Sequence, residues 1–291
     1  MHRFFAYVLV FCKKSFCYTS DMIIGVDIGG TKVLAGAFDE AGEIVQLEKF
    51  PTPRDYRELV DKCVKTINKL SSNSKVEVCL GIPNDVDPES SQLIIRKLGW
   101  TEAKPFPGDI ESGLADGSRV VFRNDAKLAG LFQARKGAAK NTHRALYLTI
   151  STGIGGAVTS DGSLDQAFEH LEPGATKYWR EGAVMKWEDF ASGNSFQLQN
   201  GTIGKETSSE SAWKEYAEAL SIGFYNLIRV INPDIIVVGG GMGSNLDKFK
   251  TFLNEEIRKL AQDTSASIPD IVLAVEPENS SLLGCYENLT K

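Results

Sequence analysis

The run Ile23-Ile24-Gly25-Val26-Asp27-Ile28-Gly29-Gly30-Thr31-Lys32-Val33-Leu34-Ala35-Gly36-Ala37-Phe38-Asp39 constrains this chain more than any other stretch. Its first half is short, rich in β-branched residues and stopped by Gly29-Gly30. Its second half is small and apolar and stopped by Asp39-Glu40-Ala41-Gly42. That pattern predicts a strand, a two-glycine turn and a second strand returning antiparallel. Without a Cβ in the way, backbone N–H groups of such a turn can face an anion at close range. Asp27 sits just before the turn, where a carboxylate could hold hydrated Mg²⁺ against a phosphate. Gly29, Gly30, Thr31 and Lys32 would supply backbone, hydroxyl and cation. The P-loop and the dinucleotide-binding turn are both excluded, because each leads into a helix and these glycines lead into another strand. An ordinary hairpin turn is the plain alternative for this stretch by itself.

The pattern recurs. Arg144 to Ile150 reads as a strand, Ser151-Thr152-Gly153-Ile154-Gly155-Gly156 as a glycine turn and Ala157-Val158-Thr159 as the returning strand. Two such units in one chain suit a two-lobed clamp, one hairpin from each lobe gripping a phosphate chain. Between and after them strands alternate with helices, which argues α/β. Helical apolar spacing runs from Tyr56 to Leu70, and Val76 to Ile82 is a buried-type strand ending at Pro83, with the loop Asn84 to Pro88 after it. Val120 to Arg123 is a strand feeding Asn124-Asp125, and Ala126 to Gly137 is helical. A long helix covers Ser211 to Ile231 and ends at Asn232-Pro233. The apolar strand Ile235 to Val238 runs into Gly239-Gly240-Gly241-Met242-Gly243, where a nucleobase and ribose could lie flat on backbone; a loose loop is the alternative. Ser281 to Leu289 is a closing helix able to pack back on the first lobe. Ser163 to Gln199 is irregular, with little period.

With 291 residues and a net charge of −6, the chain is long enough for about two domains, and its charge argues against nucleic acid or an anionic membrane as partner. The five cysteines, Cys12, Cys17, Cys63, Cys79 and Cys285, are odd in number and scattered. That favours reduced thiols in a cytoplasmic protein, and none has zinc-site spacing. The apolar run from Phe4 to Phe11 is far shorter than the ~20 residues of a spanning helix and is followed by no signal cleavage site. Residues 1–21 therefore read as an upstream extension, disordered or part of a mis-assigned start, with the folded unit beginning at Met22.

Asp125 stands where a strand hands over to a helix. It is either an N-cap or a general base at the mouth between lobes, a role that contributes roughly 10²–10⁴-fold. In the second case Asn124 would bind a neighbouring hydroxyl. Glu172 and Glu188 lie in the irregular stretch, where charges are usually solvated.

Together these segments resemble the ROK family (repressor, open reading frame, kinase) of the actin-like ATPase and sugar-kinase superfamily. The matching pieces are Asp27 to Lys32, Gly81-Ile82-Pro83, Asn124-Asp125-Ala126, Thr152 to Gly156, Glu188 to Gly193, Asn232-Pro233 and Val238 to Gly241. The resemblance implies a two-lobed actin-like ATPase (ribonuclease H-like) fold with the active site in the interlobe cleft. The small lobe would be 22–121 plus the helix in 276–291, and the large lobe 122–275. It implies a glucokinase-like, ATP- and Mg²⁺-dependent phosphorylation of a hexose 6-OH in a homodimer. Asp125 matches the catalytic base, and Asn124, Glu172 and Glu188 match sugar-hydroxyl ligands. Asp27, Gly29, Gly30, Thr31, Lys32, Thr152, Gly153, Gly155, Gly239, Gly240 and Gly241 fall on the nucleotide side.

Two departures stand out. The family's motif histidine, in Glu-Ile-Gly-His, falls on Ala175, and Glu181 to Trp187 occupies the place of the cysteine zinc cluster without a cysteine. No zinc is expected, and packing by Trp179, Trp187 and Phe190 should hold that loop. A smaller change puts Ser151 where the family has glycine. Family repressors carry an N-terminal helix-turn-helix, which residues 1–21 cannot house. A degenerate sugar-binding protein is the remaining rival.

Overall fold

The structure is a computed structural model that describes residues 22–83, 92–180, 182–201, 204, 209–262 and 267–290. The expectations for residues 1–21, Cys12, Cys17, Glu181 and the loop Asn84 to Pro88 lie outside the described residues.

The chain opens with the expected hairpin, β1 (Met22–Ile28) and β2 (Lys32–Phe38), followed by β3 (Ile44–Pro51). Helix α1 (Tyr56–Ser71) starts where the Asp55 carboxylate accepts the Glu58 N–H, and stops at Ser72 in the left-handed region. It buries Leu59, Cys63, Ile67 and Leu70, residues three or four apart and therefore on one face. Next come β4 (Val76–Ile82), α2 (Phe106–Glu111), β5 (Arg119–Asn124) and α3 (Asp125–Arg135). β5 runs unbroken across Val121 and Phe122, the junction expected between the lobes.

The second half repeats the plan. β6 (Arg144–Ile150), β7 (Ile154–Ser160) and β8 (Ser163–Leu164) form the antiparallel part. A hairpin, β9 (Lys177–Arg180) and β10 (Ala183–Lys186), then leads into α4 (Trp187–Ala191), α5 (Gly193–Asn200) and α6 (Glu210–Ile231). The chain finishes with β11 (Ile235–Gly239), α7 (Gly240–Gly243), α8 (Leu246–Leu260), β12 (Asp270–Leu273) and α9 (Ser280–Leu289).

The two larger sheets share one strand plan: β3-β2-β1-β4-β5 and β8-β7-β6-β11-β12. In each, the first three strands are antiparallel and the last two run parallel to the first. α1 covers one face of the first sheet, and α6 and α8 cover one face of the second around Trp213, Leu220, Phe224 and Phe249. The helices that follow the last strand of each sheet cross over. α3 follows β5 but packs through Ala126 and Ala129 on Tyr147 and Ala157 of the second sheet. α9 follows β12 but packs through Leu282 and Cys285 on Leu34, Phe38 and Cys79 of the first. The two helices meet face to face at Gly284, where a Cβ would penetrate the carbonyl of Leu128.

Three expectations need correction. Ser163 to Gln199 is not irregular: it holds the β9–β10 hairpin, α4 and α5, elements too short to show a period. The second glycine turn is narrower than read, since Gly155 and Gly156 are paired in β7 with Thr149 and Leu148. Trp187 and Phe190 are buried as expected, but Trp179 is 75 % exposed and packs nothing down. It pairs across the hairpin with Val184, also exposed, while Tyr178 and Met185 take the inward face.

Gly284→Ala should lower unfolding free energy by about 2–3 kcal/mol, the cost of overpacking against a fixed backbone. Gly108→Ala, in α2 with nothing within 4 Å of the added methyl, should be neutral or stabilising by up to about 1 kcal/mol. Urea titration of the two variants checks both expectations.

Candidate active site

A cavity of about 320 Å³ opens between the two sheets. Asp27 and Lys32 reach it from the ends of β1 and β2, and Asp125 from the first turn of α3. Thr149, Ser151, Gly240 and Gly241 line it from the second sheet's side, and Ser280 and Ser281 from the start of α9. Residues at the ends of both glycine turns, Asp27, Lys32 and Ser151, and the candidate base Asp125 therefore border one space.

The β1–β2 turn is tight. The Gly29 N–H donates to the Lys32 carbonyl at 3.0 Å, and a Cβ on Gly29 would stand 2.8 Å from that same oxygen. Thr52 braces the turn from β3's end, its hydroxyl donating to Gly29 O at 2.7 Å and its N–H to Thr31 O at 3.0 Å. Gly30 faces open space and Thr31 is exposed. The second turn, Ser151 to Gly153, closes through Ser151 N–H to Gly153 O at 2.9 Å, and the Gly193 N–H at the start of α5 donates to Ser151 O at 2.7 Å.

Asn124, not Asp125, is the N-cap of α3: its Oδ1 accepts the Lys127 N–H at 3.1 Å. Asp125 is the first residue inside the helix, its Oδ1 accepting the Ala126 N–H at 2.7 Å. Burial raises the Asp125 pKa, opposed chiefly by the charge of Lys97. Burial also pushes the Asp27 carboxyl up to about 7, with the neighbouring Asp125 charge adding to the rise. A 2.8 Å hydrogen bond from the Ser281 hydroxyl and the charge of Lys32 work in the other direction. Two desolvated carboxylates near one another make the cavity fit for a hard divalent cation with oxygen ligands. Asp27, beside the glycine turn, is the residue placed to hold it.

Glu188 and Glu172 stand beside this cavity and do not line it. The Glu188 Oε2 lies 3.5 Å from the Ile154 N–H just past the second glycine turn, and its Oε1 lies 3.7 Å from Lys186 Nζ. Ideal Cβ atoms on Gly153 and Gly174 would come within 2.6 and 2.9 Å of the same carboxylate, so Glu188 is wedged between the glycine turn and the Pro173–Ala175 turn. Glu172 starts that turn, and Ala175 is exposed. Thr152, Gly153 and Gly29 to Thr31 do not line the cavity either. Gly155 and Gly239 have packing reasons to be glycine: Gly155 abuts Ala126 of α3 and Gly239 abuts the Tyr147 ring. Gly240, at φ +78, turns the chain where a Cβ would stand 2.6 Å from Ile150 O.

Sequence reasoning missed Lys97, Thr149, Ser280 and Ser281, which carry no motif signature and are brought in by distant elements. Among the described residues no group of three or more His, Cys, Asp or Glu is arranged to hold a metal by itself, and no helix is long and apolar enough to cross a membrane.

The sequence pattern of the ROK family matches residues 23–289. The chain belongs to the ROK family. An N-acetyl-D-glucosamine kinase of Vibrio parahaemolyticus is 27% identical, over 90% of this chain and 98% of its own length. A glucokinase of Streptomyces coelicolor is 24% identical, over 91% and 96%. Among solved structures, a ROK family glucokinase from Streptomyces griseus, in complex with glucose and AMPPNP, superimposes with a TM-score of 0.77. It is 24% identical and covers 92% of this chain and 98% of its own. The fold is that of the actin-like ATPases.

Because the folded protein favours the protonated form of Asp27, the contribution of this group to stability is fully present at acid pH and is lost as pH rises from about 4 through about 7. Asp27→Asn should remove this dependence. In the ligand-free protein it should raise unfolding free energy at pH 8, by at most about 4 kcal/mol at 1.36 kcal/mol per pKa unit, and leave it nearly unchanged at pH 4. Denaturant titration at the two pH values checks this.

Proposed function

We propose that this protein phosphorylates a hexose on its primary 6-hydroxyl with ATP as donor, as a glucokinase-like sugar kinase. The observation that carries this reading is the convergence of Asp27, Lys32, Ser151 and Asp125 on one cavity between the sheets. The kinase names of its relatives support it. Magnesium, held on the phosphates beside Asp27, would neutralise charge on the donor.

In this reading the sugar lies on the Glu172 and Glu188 side, with Asn124 near the hydroxyl next to the reacting one. Asp125 accepts the proton of the 6-OH as the oxygen attacks the γ-phosphorus in line, and ADP leaves with the bridging oxygen. Proton abstraction asks for an ionised Asp125. Burial works against ionisation and Lys97 works for it, which places the carboxyl higher than a solvated aspartate and makes it a better base. Lys32 and the N–H groups of both glycine turns face the phosphate oxygens. Most of the rate then comes from positioning and charge neutralisation. The lobes, 22–121 with 276–291 and 122–275, close over both substrates and exclude water as competing acceptor.

A catalytically silent sugar-binding protein is the second reading, favoured by Ala175 in the place of the motif histidine. ADP release measured with and without D-glucose, N-acetyl-D-glucosamine, D-mannose and D-fructose separates the two. Sugar-dependent turnover supports the kinase; hydrolysis indifferent to sugar, or none, supports the second reading.

Asp125→Asn should lower sugar-dependent turnover by about 10²–10⁴-fold while ATP still binds in calorimetry; near-normal turnover would remove Asp125 from its role. Lys97→Met takes away the cation that favours ionised Asp125. The acid limb of the pH–rate profile should therefore move to higher pH, so that activity is lost first at the acid end.

A further inference from the structure

We propose that Lys127 is a positioning residue for the acceptor sugar, fastening the segment that carries Glu172 to the helix that begins at Asp125. The proposal rests on the reading of Glu172 as a sugar ligand.

Lys127 lies two residues past Asp125 and is 2% exposed, amid the otherwise apolar Ala126, Leu128, Ala129 and Leu131 of α3. A cation there does nothing for solubility, and burying an ammonium costs several kcal/mol unless hydrogen bonds compensate it. Its Nζ donates to Gly156 O at 3.0 Å, Phe168 O at 3.2 Å and Leu171 O at 3.1 Å. One acceptor is in β7, and the other two mark the ends of the Phe168–Leu171 segment. Because the ammonium is buried, displacing that segment would strip hydrogen bonds with no water to replace them, so the bonds hold the segment in register.

A second tie runs in parallel. Arg123 Nη1 meets Glu169 Oε1 at 2.8 Å, and Arg123 Nε donates to Asn288 Oδ1 of α9 at 3.1 Å. The stretch 123–127 thus carries the candidate base and both anchors of the segment. Directly beyond that segment come Glu172 and the turn Pro173–Ala175, whose Pro173 ring would lie 2.8 Å from a Cβ on Gly156. The same turn abuts Glu188 through Gly174. Asp125, Glu172 and Glu188 therefore share one frame, and Lys127 is the charged strut inside it. The acceptor hydroxyl would be presented to Asp125 by a segment anchored within one helical turn of that base.

The test compares wild type, Lys127→Met and Glu172→Gln in steady-state kinetics with D-glucose and N-acetyl-D-glucosamine, together with thermal unfolding and amide hydrogen exchange of the substrate-free protein. Methionine keeps the length of the stem and removes the ammonium. The expected result for Lys127→Met is a KM for the sugar raised about tenfold or more, with the KM for ATP within about twofold of wild type. Amide exchange should speed up in residues 168–175 and stay unchanged in β1 and β2. A parallel loss in both KM values with a lowered Tm would overturn the proposal in favour of a general core role. Unchanged exchange in 168–175 would also overturn it. If Glu172→Gln leaves the sugar KM unchanged, the reading of Glu172 fails, and the exchange measurement still decides whether Lys127 fastens the segment. Should Lys127→Met fail to fold, Glu169→Gln releases the parallel tie, and the same pair of readouts applies, with faster exchange and a raised sugar KM expected.

Discussion

Helices α3 and α9 cross between the two sheets with backbone in contact, Gly284 of one lying on the Leu128 carbonyl of the other. Each follows the last strand of one sheet and covers the other sheet. Small residues also let each helix lie close on the sheet it covers: a Cβ on Gly130 of α3 would meet that of Ala157 in β7 at 2.5 Å, and one on Gly25 of β1 would meet that of Cys285 in α9 at 2.8 Å. The crossing has a chemical consequence. It brings the first turn of α3, with Asp125, and the first turn of α9, with Ser281, to the same cavity as Asp27. The Ser281 hydroxyl then touches the Asp27 carboxylate across 254 residues of sequence.

Within that cavity charge is finely opposed. Two carboxylates are desolvated near one another, and Lys32 and Lys97 each favour ionisation of one of them. Burial raises the pKa of both, and the lysines act against that rise. That is the arrangement a cation and an anionic donor complete, since each new charge relieves one already present. On the sugar side the logic differs: Lys127 and Arg123 act through hydrogen bonds that locate backbone, with Glu172 and Glu188 as what they locate. The hairpin of β9 and β10 is seated by Tyr178, Met185, Trp187 and Phe190, while Trp179 faces outward.

Where local chemistry decides the backbone, the sequence was readable. Both glycine-turn hairpins, the strands Val76–Ile82 and Arg144–Ile150, and the long helix ending at Asn232-Pro233 follow from turn residues and apolar spacing. Short elements were not readable: β9, β10 and α4 span four or five residues each, two strand repeats or little more than one helical turn, too few to set a pattern apart, and packing of Tyr178, Met185 and Trp187 on the second core organises them. The glycines divided the same way. Gly29 is explained by the turn it makes, where a Cβ would stand 2.8 Å from Lys32 O, whereas Gly155, Gly239 and Gly284 are glycine because a neighbouring element, invisible in the sequence, presses on them.

For the site, residue type and local motif pointed to Asp27, Lys32 and Asp125 but left a plain turn and a helix cap open as alternatives, and the recurrence of the glycine turn with the family resemblance gave those residues their roles. The structure alone decided that Asn124 takes the capping position, that Lys97 and Ser281 face these carboxylates, and that Lys127 is buried under the Phe168–Leu171 segment. The last two depend on pairs of residues far apart in sequence meeting in space, whereas the Asn124 cap is a local choice, closed on the Lys127 N–H three residues on. A pattern of single residues along a chain carries no record of distance in space, and it is distance that sets an aspartate's pKa and gives a buried lysine its partners.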